Sequence, residues 1–410
     1  MKKLFALLLS LAMVLALVAC GQKDPTPDTP DTPDDPQTKV EYKVAMITDY
    51  GDITDQSFNQ TTYEACKAFA EDNSIEFSYF KPAGDNTADR VAMIEKAVND
   101  GFNVIVMPGY AFGGAIVEAA PEFPDVKFIA LDVAAGDLLE TAVAKAGETY
   151  DYTPENWDLN KYVDMSNVYC AVYQEELCGY MAGYAAVKLG YKNLGFLGGM
   201  SVPAVVRYGY GFVQGVDAAA ADLGLTDVKL NYIYGGQFFG DADITAVMDT
   251  WYQGSTEVVF ACGGGIYTSA VDAAKKVNAK VIGVDVDQAG VIAKYAGVDG
   301  MTVTSAMKGL YPATYDTLTD VIVNGNWEKY VGKIETLGLV SGTDPEANYV
   351  QIPMGDGTQW SDSFTQDDYK AMVKDMFDGK ITVSNNTSSD VSAADFATVI
   401  TVDDQGSIKG

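Results

Sequence analysis

The chain has 410 residues, 48% hydrophobic and 20% charged, so it is globular rather than disordered and too long for one ordinary core. Lysine and arginine number 27 against 57 acids, a formal charge of −30, which argues against nucleic acid or anionic lipid headgroups as main partners. There is no histidine, which removes Ser-His-Asp and Cys-His catalysis and histidine-based zinc sites in one step.

The N-terminus opens with Lys2-Lys3 and then an almost wholly apolar run over residues 4–18. That run is short for a membrane span and predicts a signal peptide over residues 1–19. Its ending, Leu17-Val18-Ala19-Cys20, resembles the lipobox of bacterial lipoproteins and implies that Cys20 becomes the lipidated first residue. Residues 21–39 hold five prolines and five aspartates, so residues 20–39 are expected to form an extended, self-repelling tether with nothing to pack.

From residue 40 the pattern becomes strand, polar turn, amphipathic helix, repeated. Residues 44–48 predict a strand, 59–72 a helix, 75–80 a strand, and 87–99 a helix with Val91, Ile94, Ala97 and Val98 on one face. Residues 103–107 and 126–131 are continuous apolar runs, as parallel strands covered on both faces require. Between 134 and 166 no clear period stands out, and a surface loop is expected there, with a lid over a cleft as the alternative. The second half repeats the pattern: strands at 193–197, 229–234, 258–261 and 280–285, helices at 208–223, 243–253 and 266–277. The stretch 383–393, rich in Ser, Asn and Asp, looks irregular. Two α/β lobes with doubly wound parallel sheets follow, and open sheets of this kind bind ligands beyond the carboxyl ends of their strands.

Cys66, Cys170, Cys178 and Cys262 lack CxxC spacing and are expected to be buried free thiols. Asp49, Asp132 and Asp285 each follow an apolar strand and so point at the crevice. An aspartate there also caps helices or begins turns, but three in equivalent places call for a hydroxyl-rich ligand or a cation. Near them lie Ser57-Phe58-Asn59, Gly263-Gly264-Gly265, Ser305 and Lys308. The stretch "DYGDITDQSFNQ" lacks the alternating acids and closing glutamate of a calcium loop, and no GxGxxG fingerprint follows the first strand.

"MITDYGDITDQSFNQTTYEA", "NVYCAVYQEELCGYMAGYAA", "LGFLGGMSVPAVVRYGYGFVQG", "VVFACGGGIYTSAVDAA", "VIGVDVDQ" and "VTSAMKG" occur in this order over residues 43–339. Together they resemble the basic membrane protein family of bacterial solute-binding lipoproteins. The resemblance implies a type I periplasmic-binding-protein fold, two Rossmann-like lobes joined by a multi-strand hinge. The N-terminal lobe is expected over 40–172 and 306–328, the C-terminal lobe over 173–305 and 329–410. It implies no enzyme and no cofactor or metal. The implied protein is a monomeric receptor anchored outside the cytoplasm, which passes a nucleoside, a purine by preference, to the permease of an ABC importer.

Carried onto this sequence, the family's contacts imply that Phe58 and Tyr208 sandwich the base while Asp49 and Asn59, with Asp132, read its edge. Asp285 would accept from the ribose hydroxyls, Lys308 would donate to the ribose and balance Asp285, and the backbone at Gly263 and Gly264 would approach the sugar. Family members usually carry phenylalanine where this chain has Tyr208, and Thr54-Asp55-Gln56 departs from the usual residues before Ser-Phe-Asn-Gln. A receptor for a sugar or signalling molecule, feeding a transporter or a sensor, is the alternative.

Overall fold

The structure, a computed structural model, describes residues 41–409. The predicted signal peptide, lipidated Cys20 and tether lie outside the described residues. The first sheet begins with β1 (Lys43–Ile47), β2 (Glu76–Phe80), β3 (Val104–Pro108), β4 (Lys127–Leu131) and β5 (Val168–Tyr173). Between these strands run α1 (Phe58–Asn73), α2 (Thr87–Asn99), α3 (Gly113–Ala119), α4 (Ala135–Lys145) and α5 (Leu159–Tyr162). The chain then enters α6 (Glu175–Lys188), β6 (Asn193–Gly198), α7 (Pro203–Asp222), β7 (Lys229–Tyr234), α8 (Ala242–Gln253) and β8 (Val258–Cys262). It continues through α9 (Tyr267–Val277), β9 (Lys280–Asp285), α10 (Ala289–Ala296) and β10 (Thr302–Lys308). The last elements are α11 (Leu310–Leu318), β11 (Ile334–Leu337), β12 (Val350–Gln351), α12 (Gln366–Phe377) and β13 (Thr401–Ser407).

Within the described residues the strands form two sheets, ordered β11-β5-β4-β3-β1-β2 and β12-β10-β9-β8-β6-β7-β13. All pairings are parallel except β10 with β12. The central strands read as unbroken apolar runs because helices cover both faces, and β3 and β8 are buried throughout. Three segments, residues 173–175, 308–310 and 337–350, pass between the sheets. One boundary differs from expectation. The segment β11, expected in the second lobe, pairs with β5 as an edge strand of the first sheet. This short edge strand carries little hydrophobic signal, because its residues are half-buried or exposed.

The stretch 134–166 is not a plain loop. It holds α4, whose Leu138, Leu139, Ala142 and Val143 are buried, and the short α5. Cys66, Cys170, Cys178 and Cys262 are buried free thiols.

A continuous apolar cluster joins the sheets through α6 and α7. These two helices pack backbone to backbone. A Cβ on Gly211 would lie 2.1 Å from the Glu176 carbonyl oxygen, and one on Gly183 would lie 2.3 Å from that of Phe212. Glycines four apart on both helices, 179 and 183 against 211 and 215, make that approach possible. The result is a rigid pair of helices whose N-terminal ends carry Glu175 and Arg207 to the crevice.

Candidate functional site

The carboxyl ends of both sheets face one cavity of about 390 Å³. Asp49, Phe58, Asn59, Asp132, Tyr208, Gly263, Gly264, Asp285 and Lys308 all line it. Asp132, directly after β4, and Asp285, the last residue of β9, lie in the left-handed region, φ 59° and 65°. Aspartate tolerates that conformation better than most residues, because its short polar side chain bonds locally. There the chain turns off the sheet and aims each carboxylate into the crevice.

The loop before α1 is organised by Asp55. Its carboxylate accepts from the backbone N–H groups of Ser57 (2.9 Å), Asn59 (2.9 Å) and Gln60 (3.1 Å), and from the Asn59 side-chain amide at 3.2 Å. It therefore satisfies the free donors at the start of α1, although Ser57 occupies the capping position. Burial pushes the Asp55 carboxyl up to about 6, against the pull of these donors. One oxygen of Asp49 accepts from the Tyr50 and Gly51 N–H groups, at 2.6 and 2.7 Å. Burial still raises its pKa above the ordinary range. A Cβ on Gly109 (φ 123°) would come within 2.9 Å of the other Asp49 oxygen, so only glycine leaves that carboxylate room. The Asn59 amide oxygen is buried without a protein partner.

Lys308 lies at the hinge, where β10 leaves the second sheet. Its ammonium bonds Asp132 of the first sheet and stands 3.4 Å from Glu175 and 3.9 Å from Asp285. It also lies over the rings of Phe58 (4.8 Å), Tyr173 (5.3 Å) and Tyr208 (5.6 Å), a cation held against three π faces. Arg207 pairs with the other Glu175 oxygen at 2.7 Å. Burial works to lower the Lys308 pKa, but the Asp132, Glu175 and Asp285 carboxylates outweigh it and hold it above its usual value. Burial carries Asp132 up to about 6 against the attraction of Lys308. One Asp132 oxygen has no protein partner.

The lobes meet across the cleft. Ser57 Oγ donates to Asp285 Oδ2 at 2.5 Å, the Gln288 side-chain amide donates to the Gln56 carbonyl at 3.2 Å, and Tyr50 Oη reaches the Met200 sulfur at 3.3 Å. Tyr208 is buried, donates to Asp285 Oδ1 at 3.3 Å, and meets Phe260 edge to face. Its hydroxyl, absent from the phenylalanine usual in the family, is thus spent on Asp285. Lys308 sits closer to Asp132 and Glu175 than to Asp285. At Gly263 a Cβ would collide with the Phe238 ring at 2.7 Å, so the missing side chain makes room for an aromatic of the same lobe.

Sequence reasoning did not find Tyr50, Tyr110 and Phe238, which add aromatic faces to the cavity, nor Arg207, which lines it, nor Glu175 behind it. Glu175 was visible as the first acid of the "QEELCGY" helix, and Arg207 as the lone cation beside Tyr208. Nothing local marks Phe238, which reaches the cleft from a loop after β7.

Comparison with known proteins agrees with this architecture. An ABC transporter system solute-binding protein from Aeropyrum pernix superposes with a TM-score of 0.60 at 19% identity, covering 84% of this chain and 88% of that one. Two parallel α/β lobes around a shared cleft define the fold class, that of the type I periplasmic-binding proteins. The chain belongs to the family described as ABC transporter substrate-binding protein PnrA-like, which matches residues 42–343. That family binds and delivers solute; it is not a family of enzymes. The ABC transporter nucleoside-binding protein BmpA of Lactococcus lactis is 26% identical over 392 residues, 92% of this chain and 96% of that protein. An uncharacterised lipoprotein of Pyrococcus abyssi is 26% identical over 319 residues, 74% of this chain and 69% of that one. Among the described residues no helix is long and apolar enough to cross a membrane.

Proposed function

We propose that this protein is a lipid-anchored extracytoplasmic receptor that binds a nucleoside, a purine by preference, between its lobes and delivers it to an ABC importer. The observation that carries the reading is one cavity combining partly buried aromatic faces with carboxylates that only accept hydrogen bonds. Its volume of about 390 Å³ lies within the range of small-molecule sites, about 300–1,000 Å³. Phe58 offers a stacking face, worth roughly 1–3 kcal/mol per base. Asp49 and the unpartnered Asn59 oxygen supply acceptors for the base's donors, with Asp132 beside them. Asp285 accepts from the ribose hydroxyls, sharing its oxygens with Ser57 and Tyr208. Gly263 and Gly264 line the sugar end, and Lys308 fixes Asp132 and balances Asp285. Six aspartates against Lys81, Arg207 and Lys308 in the lining disfavour a phosphorylated ligand. The name of the Lactococcus relative points the same way.

The test is thermal stabilisation by a panel of purine and pyrimidine nucleosides, which follows mass action and reaches about 2.7 kcal/mol at a hundredfold excess over Kd. Asp285→Ala should abolish the shift while the protein stays folded. A null panel, with no nucleoside released on denaturation, refutes nucleoside binding. Tighter binding of free ribose than of adenosine or guanosine moves the assignment to a sugar receptor. The anchor is checked by labelled palmitate in growing cells: Cys20→Ser should lose the label, and an equally labelled variant rules out lipidation at Cys20.

A further inference from the structure

The family match ends at residue 343, yet the chain continues and binds the second lobe tightly. Asp217 on α7 accepts from the backbone N–H groups of Thr398 (2.8 Å), Val399 (2.8 Å) and Ile400 (3.2 Å), and from the Thr398 hydroxyl at 2.6 Å. From there β13 adds a parallel edge strand along β7, and the Ile408 N–H donates to the Tyr234 carbonyl at 2.8 Å. Lys409 follows, and its ammonium pairs with Asp241 and donates to Gln237 Oε1 at 2.7 Å. A Cβ on Gly236 would meet the Lys409 side chain at 2.7 Å, so strap and loop are in direct contact.

The loop gripped this way, residues 235–241, is the one that carries Phe238 into the cleft. Phe238 lies over Gly199 and Gly263, its carbonyl accepts from the Gly265 N–H at 2.8 Å, and its ring is 6.4 Å from Tyr50 across the cleft. Gln237 also donates to the Phe239 carbonyl at 2.9 Å, and Asp241 caps α8 through the Ile244 N–H at 3.0 Å. Lys409 therefore holds both ends of a short loop whose middle residue is a wall of the binding site.

We infer that the C-terminal strap is a positioning element of the ligand site, with Lys409 acting through Gln237 and Asp241 to fix Phe238 in the cleft. Pairing along β7 runs to its last residue, Tyr234, and the strap continues past it to put the Lys409 ammonium on the side chains of the loop that follows. The inference rests on the nucleoside reading only for the choice of ligand in the binding arm of its test.

The test compares full-length wild type with Lys409→Met, Lys409→Arg and Gln237→Leu. Hydrogen exchange without ligand should rise about tenfold in residues 235–241 of Lys409→Met and Gln237→Leu, while α6 and the first sheet keep their protection. Affinity for the best-binding nucleoside should fall about tenfold in both. Lys409→Arg, which keeps the charge and donors, should restore both readouts. Unchanged exchange in 235–241, or loosening spread evenly over β7 and β13, overturns the inference. If the wild type binds no nucleoside, the ligand assignment fails and exchange alone still decides the strap's role.

Discussion

Replacing Lys308 with methionine removes the single cation shared by three carboxylates at the hinge while keeping most of the side-chain volume. Asp132 loses its bonded partner, Asp285 its nearest cation, and Glu175 keeps only Arg207. Breaking a buried pair from one side costs about 3–5 kcal/mol, because the charge left behind cannot return to water. The contacts over Phe58, Tyr173 and Tyr208 add to this, at about 0.5–2 kcal/mol for a cation over a ring. Urea unfolding at pH 7.5 should therefore show a loss of at least about 3 kcal/mol, a large fraction of the roughly 5–15 kcal/mol typical of a folded protein. The loss should shrink in acid. Burial already raises Asp132 to about 6, and without Lys308 it rises further. The native variant then binds protons that the unfolded chain does not, recovering up to about 1.4 kcal/mol per pH unit below its folded pKa. The double variant Asp132→Asn with Lys308→Met should be more stable than Lys308→Met alone, since it leaves one charge fewer unpaired. A loss below about 1 kcal/mol that does not vary with pH would show that the hinge charges are solvated, and would refute the reasoning.

Two further outcomes follow from packing and titration. Gly211→Ala should destabilise by at least about 1–3 kcal/mol despite the better helix propensity of alanine, because its Cβ would press on the Glu176 carbonyl. Gly290→Ala, in open space near the start of α10, is the control and should be neutral or stabilising by about 0.5–1 kcal/mol, both read by urea unfolding. Burial raises Asp55 and Asp132 to about 6 and Asp137 and Glu176 to about 7. The native state thus holds protons that the unfolded chain releases, so stability should rise as pH falls from about 8 toward 5. Near pH 4 the gain should end, because the unfolded chain's carboxyls then take up protons; at groups held low in the native state, such as Asp217 with its Thr398 and backbone donors despite burial, that uptake costs stability. Unfolding midpoints that stay flat or fall between pH 8 and 5 would contradict the assignment of these four carboxyls.

How much of this was legible in the sequence depends on where each signal resides. Central parallel strands write their burial as unbroken apolar runs, so β1, β3, β4, β8 and β9 could be read directly, together with the aspartates that follow them. The helix α4 could not, because Ala, Gly and Thr dilute its apolar face and Asp137 and Glu140 interrupt it. Its four buried residues are Leu138, Leu139, Ala142 and Val143, one face of two turns that the flanking aromatics and acids obscure. The pairing of Glu175 with Arg207 is tertiary, set by where α6 and α7 cross. Phe238 lies on a loop contacted by Lys409, 172 residues beyond Gln237. Asp55 was visible as an acid ahead of α1, but its role was not: it is a structural anchor that satisfies the helix start and orients Phe58 and Asn59.

Asp55, Lys308 and the α6–α7 pair together explain how one cleft can be both strongly charged and well ordered. The three carboxylates that follow or end the strands, Asp49, Asp132 and Asp285, are each fixed by their own set of donors. Asp49 is held by its own turn, Asp132 by the hinge lysine, and Asp285 by Ser57 from the opposite lobe and Tyr208 from α7. A ligand that donates hydrogen bonds therefore meets acceptors already oriented, which reduces the entropy lost on binding. The bond from Ser57 to Asp285 has a further consequence. It joins the lobes at the carboxylate proposed to hold the sugar, so opening the cleft and releasing the ligand disturb the same group. On that proposal lobe closure and ligand recognition are coupled through Asp285, whose other oxygen is held by Tyr208 within the second lobe.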